Sequence, residues 1–340
     1  MRRLKILLQF LIASTLIFFT VDGYAQKEDS TYAEMLGFPK GAKVVIMHVD
    51  DVGMSFDSDR GAIEAMTKGV ATSCSIMMPC GWVPHFFHYL ADHPNTDAGL
   101  HLTLTSEWKD YRWGPLSGKK SVPGLVDKEG AFWPSVEEVV THASADEVDK
   151  EMHAQLDRAR AMGWEPTHMD SHMGTLFAVP AYTERYIKLG IENHIPVMFP
   201  GGHATLIMQQ VQSAAQRQSL KVVGRQLWNA GLPVLDDIFN DSYGWKLPRD
   251  MKATDENLRK FKTQKYIEAL KTIKPGITYV IMHCTLPSET FSAITDSGPI
   301  RKGDLLAMTD PALKKFIEKE GIILTSWREL SERRKGVATK

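Results

Sequence analysis

The chain has 340 residues, enough for one large domain or two ordinary ones. Its 40 Lys and Arg against 41 Asp and Glu leave a formal charge of −1, with 43% hydrophobic and 24% charged residues. That balance is of a soluble globular protein and argues against a nucleic-acid partner or an anionic membrane surface.

The N-terminus differs from the rest. Met1-Arg2-Arg3-Leu4-Lys5 is basic, Ile6–Thr20 is almost wholly apolar, and Gly23-Tyr24-Ala25 sets small residues where a signal peptidase reads, with Gln26 after the cut. The apolar run is short for a membrane span. Residues 1–25 therefore read as a signal peptide, giving an exported, periplasmic or secreted protein with no stable membrane insertion after cleavage; an uncleaved anchor is the alternative. The three cysteines, Cys74, Cys80 and Cys284, lie beyond the cut, and their odd number rules out complete intramolecular pairing. Each sits in an apolar run, as a buried thiol would.

Residues 26–40 are polar and mixed, and read as a flexible lead-in. Val44–Met47 opens a strand over about 43–50, apolar enough to be buried on both faces, which ends in adjacent acids, Asp50 and Asp51, and then Gly53. Neighbouring strand residues point to opposite faces, so both carboxylates reach one cleft only where the strand ends and the chain bends. Ser58 is a candidate cap for a helix to Lys68, stopped by Gly69. A strand over Val70–Met78, a helix over Pro84–Asp92 and an alternating strand over Ala98–Thr105 follow. Residues 106–135 break the rhythm and carry Trp108, Tyr111, Trp113, Phe132 and Trp133. So long a loop is usually functional. Trp108, Trp113 and Trp133 suit stacking on sugar rings, or else a small satellite core under the loop.

Ser144-Ala-Asp-Glu147 is a capping box for a helix to about Met162. Pro166–His172 reads as a strand, Pro180 as the first turn of a helix to His194, and Pro196–Phe199 as strand-like. Residues 201–255 are less regular, with a helix expected over Ala204–Leu220. A helix from Thr254 or Asp255 to Lys271, a strongly apolar strand over Thr278–Cys284, a helix from Asp310 to Glu320 and a last strand over Gly321–Leu324 complete the chain. Strand then helix, repeated without a linker, predicts an α/β fold: one barrel-type domain over 41–335 with insertions at about 106–135 and 201–255.

The chemistry-bearing residues fall at strand ends: Asp50 and Asp51, then His101, then His168, Asp170 and His172, then His283. A lone histidine at such a place is usually a hydrogen-bonded core residue; several at matching ends need partners or a metal. One carboxylate with two imidazoles is a common set for a hydrolytic divalent cation, beside which a second carboxylate can act as base and another group as acid. A metal phosphatase would use the same set.

Val49-Asp50-Asp51-Val52-Gly53-Met54-Ser55, Arg60-Gly61-Ala62-Ile63-Glu64-Ala65, Gly69-Val70-Ala71-Thr72-Ser73, Gly99-Leu100-His101-Leu102-Thr103-Leu104-Thr105 and Pro166-Thr167-His168-Met169-Asp170-Ser171-His172 together resemble the YdjC-like family of carbohydrate and chitooligosaccharide deacetylases, in family order. The likeness is close over about 43–200 and weaker over 278–330. It implies a TIM-barrel-like (β/α) fold of the polysaccharide deacetylase type, one divalent ion (Mg2+ or Zn2+) and removal of N-acetyl groups from amino sugars or oligosaccharides. Asp51, His101 and His172 match the metal ligands, Asp50 the catalytic base and His283 the general acid. His168 and Asp170 become supporting groups that orient the ligands or the base. The chain departs from the family in His48, where Asn is expected, in Met173-Gly174-Thr175 after His172, and in Cys284-Thr285-Leu286-Pro287 after His283. Two other readings stay open: a metal hydrolase of another acyl or phosphoryl bond, and a non-catalytic glycan-binding protein. A homodimer also stays open.

Overall fold

The computed structural model describes residues 30–207 and 214–337. The expected signal peptide, residues 1–25, lies outside the described residues. No described helix is long and apolar enough to cross a membrane.

In chain order the elements are α1 (Tyr32–Met35), β1 (Lys43–Val52), α2 (Phe56–Lys68), β2 (Ser73–Ile76), α3 (Val83–Asp92), β3 (Ala98–Leu102), α4 (Val136–His142), α5 (Ala145–Ala161), β4 (Met169–Ser171), α6 (Pro180–Asn193), α7 (Ala214–Asn229), β5 (Asp237–Phe239), α8 (Asp255–Thr272), β6 (Gly276–Met282), α9 (Glu289–Ile294), α10 (Gly298–Met308), α11 (Pro311–Lys319), β7 (Ile323–Leu324) and α12 (Trp327–Val337). The strands are all parallel, in the order β4-β3-β2-β1-β6-β5, with β7 beside the start of β1. Single parallel bridges, Met169 to Val197 and Pro200 to Leu235, carry the curl on from β4 towards β5. The result is the curled α/β barrel that the strand–helix alternation predicts. β1 sits at its centre, and Val44–Met47 are fully buried, as a strand covered on both faces requires.

Several boundaries differ from expectation for identifiable reasons. The lead-in is packed over its described part. Thr31 and Glu34 form a capping box around α1, Tyr32, Leu36 and Phe38 are buried, and the Tyr32 and Ala33 amides donate to the Asp236 carboxylate at 2.9 and 3.2 Å. Helix α2 is capped by Ser55, whose hydroxyl accepts the Ser58 amide; starting three residues earlier puts Asp57 and Asp59 in the first turn, where the helix dipole favours them. Of the helix expected over 204–220, residues 204–207 are not α-helical, 208–213 lie outside the described set, and the described helix α7 runs on to Asn229. The insertion at 201–255 contributes β5, a short run with little periodic signal. Residues 106–135 close on themselves: Trp113 Nε1–H donates to Thr105 O (2.8 Å), Trp133 Nε1–H to Gly124 O (2.8 Å), and buried Glu151 of α5 accepts the Leu116 and Ser117 amides (3.0 and 2.9 Å). All three cysteines are free and buried.

Candidate active site

The site is built where β1 breaks step. Against β2, Val49 pairs with Cys74 and Val52 with Ile76, so β1 holds one extra residue between these pairs. Asp50 and Asp51 together stand opposite the single residue Ser75, and Asp51 takes a φ of +66°. A bulge re-aims side chains that strict alternation would send to opposite faces, and Asp tolerates the left-handed region better than most residues. Both carboxylates thereby line one cavity of about 470 Å3, together with His101, Glu107, His172, His283 and Arg301. Gly53, at φ +81°, completes the turn; a Cβ there would fall 2.8 Å from Val83 Cγ2.

Three donor atoms converge in it. Asp51 Oδ1 lies 3.3 Å from His101 Nε2 and 3.2 Å from His172 Nδ1, and the two nitrogens are 3.2 Å apart. Each imidazole has its far nitrogen tied to another carboxylate: His101 Nδ1 to Asp170 Oδ1 at 2.6 Å, and His172 Nε2 to Glu107 Oε2 at 3.1 Å. An ionised carboxylate can only accept, so the far nitrogens carry the protons and the lone pairs face inward. Asp51 Oδ1 is shut from solvent and accepts no well-formed hydrogen bond. Ligands held about 2.0–2.2 Å from one ion stand roughly 3.0–3.5 Å from each other, which matches the triangle. Histidines that donate outward to carboxylates are the usual supports of such a centre. Asp51, His101 and His172 therefore fit a divalent cation.

The charges around the triangle are unusual. Burial would raise the Asp51 pKa, but Arg301 and the two imidazoles hold it well below the usual carboxylate range. Arg301 Nη1–H donates to Asp51 Oδ2 at 2.7 Å, and both side chains are buried. Burial would lower the histidines; instead Asp170 and Asp50 lift His101 well above its ordinary value, and Glu107 and Asp51 lift His172 to about 9. With no cation between them these rings hold a proton, and a metal takes that proton's place.

Asp50 and His283 flank the triangle. His283 Nε2 is 3.9 Å from both Asp50 Oδ2 and Asp51 Oδ2, and its Nδ1 is buried without a partner. Burial pushes the His283 pKa down; Asp51 opposes that and Arg301 adds to it. Its amide donates to Asp304 Oδ2 of α10 at 3.2 Å. Asp170 holds the floor of the site, accepting also from Tyr279 Oη–H at 3.0 Å and lying 3.0 Å from His48 Nε2. His48 Nε2 is also 3.1 Å from Asp50 Oδ1, so His48 joins the candidate base to the carboxylate that steers His101. His168 does not share this role. It touches no triangle residue, stacks 5.1 Å from Trp327 and lies against Gly99, where a Cβ would meet its ring at 2.3 Å. Burial holds its pKa well below the ordinary value, so it is a neutral core imidazole.

The tryptophans sit outside the cavity lining. Trp113 is 6% exposed and packs edge-on to Trp108 at 5.4 Å; Trp133 stacks on His142 at 4.1 Å. Two of them back the site: Trp108 lies 5.7 Å from the Arg301 guanidinium, and the Trp113 ring is 6.5 Å from that of His172. Glu107, Arg301, Tyr279 and the bridging role of His48 were beyond the sequence reading. Glu107 sits just past a recognised motif, but Arg301 comes from α10, a helix with no expected counterpart.

The description "YdjC-like protein" belongs to the family whose sequence pattern matches residues 44–319. A carbohydrate deacetylase of Thermus thermophilus is 29% identical over 292 residues, 86% of this chain and 95% of its own length. A chitooligosaccharide deacetylase of Yersinia enterocolitica is 31% identical over 134 residues, 38% of this chain and 49% of its own. Among solved structures, an Enterococcus faecalis V583 protein described as a cellobiose-phosphate cleavage candidate superposes with a TM-score of 0.68 at 19% identity, over 85% of this chain and 99% of its own, a likeness of fold. With the family pattern covering four-fifths of its length, the chain belongs to the YdjC-like family.

Proposed function

We propose that the protein is a metal-dependent carbohydrate deacetylase that hydrolyses the N-acyl group of an amino sugar or its oligosaccharide. The observation that carries this is the triangle of Asp51, His101 and His172 with a second carboxylate, Asp50, beside it in the same cavity. The relatives named carbohydrate deacetylase support the substrate class. A divalent ion held by the triangle supplies Lewis acidity, lowering the pKa of water towards about 7 and polarising a carbonyl. Asp50, not tied to the triangle, takes the proton of the attacking water. His283 faces the same space and hands a proton to the departing nitrogen. Burial favours the neutral form of the resting His283, so the proton it delivers is one released by the attacking water during turnover. Arg301 fixes the free oxygen of Asp51 and keeps that carboxylate ionised. A pure glycan binder has no use for Asp50 at this place.

The test is acetate release from N-acetylated amino-sugar oligosaccharides, with metal content measured on the same samples. Asp50→Asn keeps the side-chain shape and removes the proton acceptor, so bound metal is expected to stay while kcat falls by about 10²–10⁴-fold. Loss of metal along with activity would make Asp50 a ligand. Phosphate release from phosphorylated sugars, with no acetate from the acetylated ones, would overturn the reaction class.

A further inference from the structure

Among the described residues of the cavity lining, Met173, Asn240 and Tyr243 are exposed. Tyr243 is the aromatic one, 40% exposed. It stands on the short turn Ser242–Gly244, within the insertion at 201–255. That turn is fastened to the barrel. Ser242 is buried, its hydroxyl donates to Ile281 O at 2.6 Å, and Lys262 Nζ–H donates to its carbonyl at 2.8 Å. The ring is held as well. It packs 5.0 Å from the His283 imidazole, and the Arg301 guanidinium lies 5.4 Å from its centroid. Arg301 is in turn bonded to Asp51. A ring fixed before its ligand arrives loses little freedom on binding.

Where the sugar lies follows from the proton that His283 gives. The departing nitrogen is bonded directly to a ring carbon of the amino sugar, so that ring lies next to the atom His283 reaches. Its hydroxyls lose free energy if buried without partners, so it lies where the cavity is open. Tyr243 meets both conditions, since it packs on His283 and is exposed. A pyranose with equatorial substituents carries hydroxyls around its edge and C–H groups on its faces. Such a face suits the negative face of an aromatic ring, while the edge stays in water. Trp108, Trp113 and Trp133, which the sequence suggested for this task, lie outside the cavity lining, and Trp113 and Trp133 spend their indole N–H groups on backbone carbonyls. Resting on the deacetylase reading above, we propose that Tyr243 determines specificity for the sugar: its ring stacks on the pyranose that bears the scissile N-acetyl group.

The experiment measures acetate released from N-acetylglucosamine and from N,N′-diacetylchitobiose by the metal-loaded protein and its Tyr243 variants. Tyr243→Ala removes the ring, and a contact made equally in the bound substrate and the transition state shows in KM. Expected is a KM raised roughly tenfold, equivalent to about 1.4 kcal/mol, with kcat and bound metal held. Tyr243→Phe and Tyr243→Trp keep a ring and should restore KM. If the alanine variant does not fold, Tyr243→Leu replaces it with the same expectation. A KM unmoved by loss of the ring, in a protein that still releases acetate, overturns this proposal and leaves the deacetylase reading standing. So does a phenylalanine variant as poor as the alanine one, because the hydroxyl is then the contact. A fall in kcat or in bound metal with KM unmoved also overturns it, and makes Tyr243 a support of Arg301 or His283. No acetate from either sugar with the wild-type protein overturns both readings.

Discussion

His48 shows how one side chain sets the chemistry of its neighbours. Its ring is fully buried, with Nδ1 3.0 Å from Ser73 Oγ and Nε2 close to Ser75 Oγ, Asp50 and Asp170. Burial alone would lower its pKa, but the bonds to Asp170 and Asp50 outweigh that and hold it above the ordinary value. His48 therefore keeps its charge to a higher pH than a free imidazole and loses it as pH rises through that raised value. His48→Asn removes the titrating group. The part of the basic limb of the kcat/KM profile that comes from His48 should then disappear, with kcat/KM lowered on the plateau. A pH–rate profile checks this; an unchanged basic limb with only lower kcat would make His48 a packing residue. Most of this site was legible at the same scale. Asp50, Asp51, His101 and His172 stand at strand ends in a parallel fold, and ionisable groups on a buried apolar strand need a shared purpose. His168 has the same position in the same motif but is spent on packing against Gly99 and Trp327. Strand periodicity names a face, not a partner, and cannot separate those two histidines.

Among the elements the sequence hid, α10 bears most directly on the site. Gly298-Pro299-Ile300-Arg301-Lys302-Gly303-Asp304 has two glycines and two buried charges, so it lacks the apolar stripe that marks a helix. Its charges are instead spent inward: Arg301 on Asp51, and Asp304 on Lys262 Nζ (2.8 Å), Tyr266 Oη (2.7 Å) and the His283 amide. Gly303 lets α8 come close, since a Cβ there would sit 2.8 Å from Lys262 Cγ. Helix α10 thus links α8 to Asp51 and to the backbone of His283. The Lys262–Asp304 bridge is 1% and 0% exposed by side chain, so removing one member strands the other's charge. Lys262→Met should cost about 3–5 kcal/mol in urea unfolding, and moving Asp304 should disturb His283. The double change Lys262→Met with Asp304→Asn should recover much of that cost, because no buried charge is then left unpaired. Equal losses from the single and double changes would mean that packing, not charge, holds α10.

Across the whole molecule, the three triangle residues come from places far apart in sequence and ring: Asp51 from the bulge of central β1, His101 from β3, and His172 from the turn after β4. In the unfolded chain they form no site. A ligand that binds only the folded state stabilises it by RT ln(1 + [L]/Kd), about 2.7 kcal/mol at a hundredfold excess over Kd. Without the ion both imidazoles take up a proton beside the buried Asp51, and the ion displaces it on binding. Metal should therefore raise Tm by several degrees, and a chelator should reverse the rise. Asp51→Asn keeps the shape but weakens the cation site, and it also leaves the buried Arg301 guanidinium without its counter-charge. Its Tm should be lower than wild type and insensitive to both metal and chelator. Thermal melts of the two proteins with Zn2+, with Mg2+ and with a chelator decide the matter. A metal-dependent rise that survives in the Asp51→Asn protein, or in His172→Ala, would place the cation elsewhere and remove the basis for the catalytic roles given to Asp50 and His283.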